Sequence, residues 1–216
     1  LAKGNNFGIR NLSNIIMYKR LFYILLIIIH TGAFAQENWI LSKDMDGIKV
    51  YTKTETGSCY KSFKAEMQSN CKIEDIVSVL KDVKRFGIWV ADTKEVKLLK
   101  MEDNDQYHYI ETSLPWPFKS RDMVYHFQYI RINSNQLKVI ITGIPDYINP
   151  KGDIIRMKKA NGFWLLTSLD SNKTTITYQL HVEPGGTIPA WLANVSVIKI
   201  PFSTLTGLRN VLAKLK

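Results

Sequence analysis

Few residues in this chain could do chemistry, and they are scattered. His108, His126 and His181 fall one to a strand-like segment. No His-x-His or Glu-x-x-His spacing joins them, so they offer no ligand set to a metal. His181 shares a face with Thr175, Thr177 and Gln179 and is expected to be solvated. The sequence holds no Gly-x-Ser-x-Gly elbow and no phosphate-binding glycine loop, and neither cysteine has a motif-level partner. That argues against hydrolase and kinase chemistry, and no cofactor is implied. What remains is a set of charged and aromatic residues in apolar surroundings. Adjacent residues on a strand point to opposite faces, so one of Arg121 and Asp122 faces inward. There it meets an anionic or hydroxylated ligand, or else Asp122 or Glu111 pairs with an arginine for structure alone. Arg156 shares one face with Ile154 and Lys158, against Ile155 and Met157 on the other, and either face could be the inner one. Tyr109 joins Arg121 and Arg156 as a candidate lining residue. In the loop between two strands, Trp116 and Phe118 are flanked by prolines and followed by Lys119. These residues either touch a membrane surface, with Lys119 toward acidic headgroups, or fold back and close the core.

The elements that must position these residues follow from hydrophobic period. From Ile188 the apolar residues Trp191, Leu192, Val195, Ile198, Phe202, Leu205, Leu208, Leu212 and Leu215 recur in steps of three and four. That spacing predicts a long amphipathic helix starting near Ile188, with Pro201 in its interior able to bend it. At 1.5 Å per residue the helix spans about 40 Å. Its stripe is either ordinary core packing or the roof of a cavity, with Trp191, Val195, Ile198, Phe202 and Leu205 as the roof. A short helical patch is expected at Ile73 to Leu80, with Glu74 and Asp75 in its first turn, and a second within Val83 to Val90. Period-two segments predict strands at 48–53, 60–69, 95–101, 107–114, 122–132, 137–144, 153–160, 163–169 and 174–182. Residues 39–44 read as a short lead-in segment. Asn161-Gly162 is the strongest hairpin signal. The result is an α+β chain in which a curved antiparallel sheet is covered by the one long helix.

Bulk properties narrow the function classes. With 45% hydrophobic and 22% charged residues, the chain suits one globular domain. Tyr18-Lys19-Arg20, an apolar run from Leu21 to Ile29, and Ala33-Phe34-Ala35 have the three parts of a secretory signal peptide. The apolar run is shorter than the roughly 20 residues a bilayer span needs. Residues 17–35 are therefore read as a signal peptide, residues 1–16 as an upstream leader or start-site artefact, and 36–216 as the exported domain. Residues 1–35 carry four cations and no acid, so the net charge of +10 drops to +6 without them. Basic residues are interspersed with acids, which points away from nucleic acid but leaves an acidic membrane surface as a partner. A strand between Cys59 and Cys71 would hold the thiols roughly 30–40 Å apart. A bridge tolerates only about 7 Å between Cα atoms, so two free thiols are expected.

Three motifs carry a resemblance. Trp89-Val90-Ala91-Asp92, Pro115-Trp116-Pro117-Phe118-Lys119-Ser120-Arg121-Asp122 and Glu183-Pro184-Gly185-Gly186-Thr187-Ile188-Pro189, in this order and spacing, resemble the START family of steroidogenic-acute-regulatory-protein-related lipid-transfer domains. The resemblance runs from about Trp39 to Lys216. It implies a helix-grip fold of the START/Bet v 1 type, with a hydrophobic tunnel between sheet and helix and the loop 115–120 beside the helix at its mouth. Two features depart from the family: its first helix is reduced to a few residues, and the signal peptide is unlike its mostly intracellular members. The expectation is a monomeric carrier of a lipid or other hydrophobic small molecule in the periplasm or outside the cell. The alternatives are a polyketide cyclase or aromatase-like enzyme using the same tunnel, and an envelope scaffold whose groove is filled by its own side chains.

Overall fold

The computed structural model describes residues 38–215, so the leader and signal-peptide readings lie outside the described residues. Ten strands form one sheet: β1 (Ile40–Met45), β2 (Ile48–Thr54), β3 (Lys61–Ser69), β4 (Thr93–Glu102), β5 (Asp105–Thr112), β6 (Arg121–Asn133), β7 (Gln136–Gly143), β8 (Ile155–Arg156), β9 (Lys159–Asp170) and β10 (Lys173–Glu183). Their order is β1-β2-β3-β10-β9-β7-β6-β5-β4, with β8 added alongside β6. The first hairpin thus joins the sheet through the last strand, Phe63 facing Leu180 and Met67 facing Ile176. Register shifts at Leu41/Lys43, Thr93/Glu95, Leu98/Lys100 and Arg131/Asn133 insert extra residues, which bend the strands and curve the sheet.

Among the described residues three α-helices accompany the sheet: α1 (Ile73–Lys81), α2 (Phe86–Trp89) and α3 (Ala190–Leu212). Asp75 accepts the Lys72 N–H at 3.2 Å and so caps α1. α3 starts at Ala190, two residues later than the sequence start near Ile188, with Pro189 at its N-cap and Pro201 inside the helix. The C-terminal half of α3 buries Leu205, Leu208, Val211 and Leu212 with Ile76 and Leu80 of α1 and with Ile48, Val50 and Ala65 of the sheet. Gly207 is needed where α2 crosses, since a Cβ there would lie 2.5 Å from the Trp89 carbonyl oxygen.

Two strand readings change. Residues 39–44 contain a paired edge strand, β1, and not merely a lead-in. Of 153–160 only Ile155–Arg156 pairs as a separate strand, and it runs parallel to β6. Asn161-Gly162 is no turn: both residues sit inside β9, Gly162 opposite Leu180 on one side and Ile141 on the other. A Cβ at Gly162 would fall 2.0 Å from the Gln179 carbonyl oxygen. The glycine permits a close approach of the β10 backbone.

Candidate functional site

Beneath the N-terminal half of α3 the sheet and helix do not meet. The space between them is a cavity of about 190 Å³. Ile110, Tyr125, Phe127, Ile141, Trp164, Tyr178, Leu180 and Val182 line it from the sheet, and Phe86 and Trp89 from α2. From α3 it is lined by Leu192, Ala193, Ser196, Val197, Ile200 and Thr204. The Trp164 and Tyr178 rings stack in parallel at 3.9 Å, giving one wall a flat aromatic surface. Apolar space of this kind stays open because the helix presents small side chains at Ala193, Ser196 and Thr204. Thr204 uses its hydroxyl to accept the Ala91 N–H at 3.2 Å, which holds the segment after α2 against the helix.

Of the residues put forward in the sequence as cavity lining, the cavity gathers only Arg121. Trp191 and Val195 are correctly placed on the helix but point outward, Trp191 being 63% exposed. Ile198 and Phe202 are half-buried against the hydrophobic core and do not line the cavity, and the Phe202 ring lies under the Lys43 ammonium at 3.6 Å. Leu205 is fully buried in the core and does not line the cavity. A stripe of ten apolar residues is wider than the face that overlooks a guest, and the spacing rule cannot see Ala193, Ser196 or Thr204, which are small or polar.

Tyr109 and Arg156 are also not in the lining. Ile110 faces inward, so Tyr109 faces outward, where the Lys151 ammonium covers its ring at 4.3 Å. Burial pushes its hydroxyl up from the ordinary tyrosine pKa. Asp122 likewise faces outward and takes a bidentate pair from Arg156, 2.8 Å from Nε and 3.1 Å from Nη2. Arg156 also donates to the carbonyls of Pro145 and Ile148. The segment 144–153 thus covers the outer face of β5 and β6, and burial there does not signal the cavity. Glu111 pairs with Lys94 at 2.7 Å.

Arg121 faces inward at the start of β6. Its guanidinium donates to the carbonyl oxygens of Pro184 at 3.0 Å, Gly185 at 3.4 Å, and Lys119. It therefore ties the loop 113–120 to the segment leading into α3. In that loop Trp116 is 92% exposed, Phe118 is half-buried, and Lys119 pairs with Asp153 at 3.7 Å. The two cysteines are free, Cys59 exposed and Cys71 buried. His181 is not solvated as expected: its Nε2 lies 3.7 Å from Glu183 and its side chain is mostly covered.

An open, curved antiparallel sheet gripping a C-terminal helix around an apolar cavity defines a helix-grip binding fold. The sequence pattern of the START domain matches residues 28–215, and the chain belongs to that family. Its relatives include an uncharacterized protein of Pseudomonas aeruginosa, 36% identical over 183 residues, which span 85% of this chain and 91% of that one. Phosphatidylcholine transfer protein from Mus musculus is 26% identical over 76% of this chain and 77% of its own length. Among solved structures, a STAR-related lipid transfer protein fragment from Xanthomonas axonopodis is 40% identical, with a TM-score of 0.76 over 81% of this chain and 98% of that one.

Proposed function

We propose that this protein binds a lipid or similar hydrophobic molecule in the cavity under α3 and transfers it between surfaces as an exported monomer. The observation that carries the reading is the unfilled apolar space itself. At about 190 Å³ it exceeds the roughly 150 Å³ apolar void that admits a benzene-sized guest. Burial of hydrocarbon there is favourable at about 25 cal/mol per Å², so no single contact need dominate. Similarity to proteins named for lipid transfer supports the same reading. Transfer requires the cavity to open near a bilayer. Trp116, Phe118 and Lys119 supply an aromatic and basic tip for that contact, and Arg121 links their loop to the start of the helix.

The test is native mass spectrometry, with organic extraction, of the protein purified from its own host. A defined lipid at near-stoichiometric amount is expected. Repeatedly empty protein would sink the proposal and leave a scaffold.

A further inference from the structure

The cavity lining is charged in one sense only. Lys61 and Arg121 belong to it, and among the described residues no aspartate or glutamate does. Both cations stand at the same end. Arg121 opens β6 and bonds the Pro184 and Gly185 carbonyls just beyond the end of β10. Lys61 opens β3, and Tyr60 before it lines the cavity within electrostatic reach of the Arg121 guanidinium and of the Glu183 carboxylate, which stands outside the lining. Arg121 is only 2% exposed, and its burial lowers the guanidinium pKa from its ordinary value.

Arg121 and the partly covered Arg156 are treated differently. Arg156 has a carboxylate, Asp122, to compensate it. Arg121 has three neutral carbonyls and no carboxylate partner among the described residues. Carbonyls satisfy N–H groups without cancelling a charge, and an uncompensated buried ion is unfavourable. A guanidinium has five N–H donors, so three bonds leave two for a further acceptor. Lys61 is exposed and makes no ion pair among the described residues, so the cavity reaches solvent beside a free ammonium. Further in, the walls are Phe63, Phe86, Phe127, Ile141 and Trp164, with no charge to meet.

Resting on the lipid-binding reading above, we propose that the guest is a single-chain anionic amphiphile. Its carboxylate or phosphate head sits between Arg121, Lys61 and the Tyr60 hydroxyl, and its hydrocarbon chain runs inward along Phe127 and Trp164. Charge-assisted bonds from a guanidinium and an ammonium are the strong kind, and the head supplies the counter-charge the fold omits. The limited volume favours one chain over two.

The full chain is titrated with cis-parinaric acid and with its methyl ester, which shares the polyene chain but lacks the charge. Binding is followed by energy transfer from tryptophan. The acid is expected to bind at least about tenfold tighter than the ester. Lys61→Glu removes that preference, the ratio of acid to ester affinity falling to about one. Lys61 secures no loop, so this variant avoids the folding ambiguity of Arg121→Gln. Displacement of parinaric acid by 1-oleoyl lysophosphatidic acid at lower concentration than by oleic acid assigns the site to a phosphate head, and the reverse order to a carboxylate. Lysophosphatidylcholine displaces poorly in either case. Equal affinity for acid and ester, a preference that survives Lys61→Glu, or strong displacement by lysophosphatidylcholine overturns the anionic head while lipid binding stands. Failure of both acid and ester to bind overturns the two together.

Discussion

His108 is wholly buried on the inner side of β5, enclosed by Phe86 at 5.2 Å, Phe127 at 4.4 Å and Tyr125 at 6.1 Å between ring centroids. Neither ring nitrogen has a partner among the described residues. Burial alone pulls its pKa from 6.5 to about 3. Because the unfolded imidazole titrates near its ordinary value, between these limits the unfolded chain binds a proton that the folded one refuses. Stability is therefore full above about pH 6.5 and falls on acidification by about 1.4 kcal/mol per pH unit. The carboxyls of Glu55, Glu74 and Glu95 are held below the usual range, so their loss of stabilisation begins only nearer pH 4.5. Urea unfolding of wild type and His108→Leu from pH 6.5 to 5 isolates the histidine. The wild-type stability should drop relative to the variant, and parallel profiles would mean that the folded ring accepts the proton. Arg156 gives a second residue-level expectation. Removing it strands the fully buried Asp122, so Arg156→Leu should cost about 3–5 kcal/mol in a denaturant titration, with ligand affinity unchanged in the folded protein. A cost under 1 kcal/mol would show that water reaches Asp122.

The element that makes the cavity is α3, through what its N-terminal half lacks. Ser196 faces the void where a large side chain would fill it. Ser196→Phe is expected to hold or raise the melting temperature by filling space and to abolish lipid co-purification. If the variant still carries stoichiometric lipid, the guest does not lie under the helix. The same element shows how far the sequence could be read. The length, place and covering role of α3 were legible because apolar residues repeat in steps of three and four over most of its length. Which of them would roof the cavity was not, because Trp191 and Val195 obey the spacing as well as Leu192 does yet face outward. Strands 48–54, 61–69 and 173–183 were legible from alternation, since one face is buried and the other half-covered. The outward burial of Tyr109 and Asp122 was hidden, because the segment 144–153 covers their face from a distance in sequence. Asn161-Gly162 misled for a definite reason: glycine serves a turn and a close backbone approach equally, and only the neighbouring strands decide which. Alternation could say only that one of Arg121 and Asp122 faces inward, and the pairing of β6 with its neighbours decides that it is the arginine.

At the scale of the molecule, carriage and release impose opposite demands, since a closed cavity holds its guest and an open one gives it up. Arg121 lies where the demands meet. It joins the loop 113–120 to the residues before α3 through bonds that a moving loop would break. Trp116 is left in solvent on that loop, and Trp191 and Val195 are left in solvent on the first turns of α3 that follow the joined residues. Indole rings favour the headgroup level of a bilayer, so docking at this end would bring the cavity mouth to the surface from which a guest is taken. Burying a side chain of this size is worth about 1.5–3 kcal/mol, which bears on attachment and not on the cavity. Trp116→Ser should therefore slow transfer of a pyrene-labelled lipid between vesicles by about tenfold. The amount of lipid held at equilibrium should stay the same. An unchanged transfer rate would remove the loop from the mechanism, and a parallel loss of equilibrium binding would make Trp116 part of the cavity's closure instead of its membrane contact.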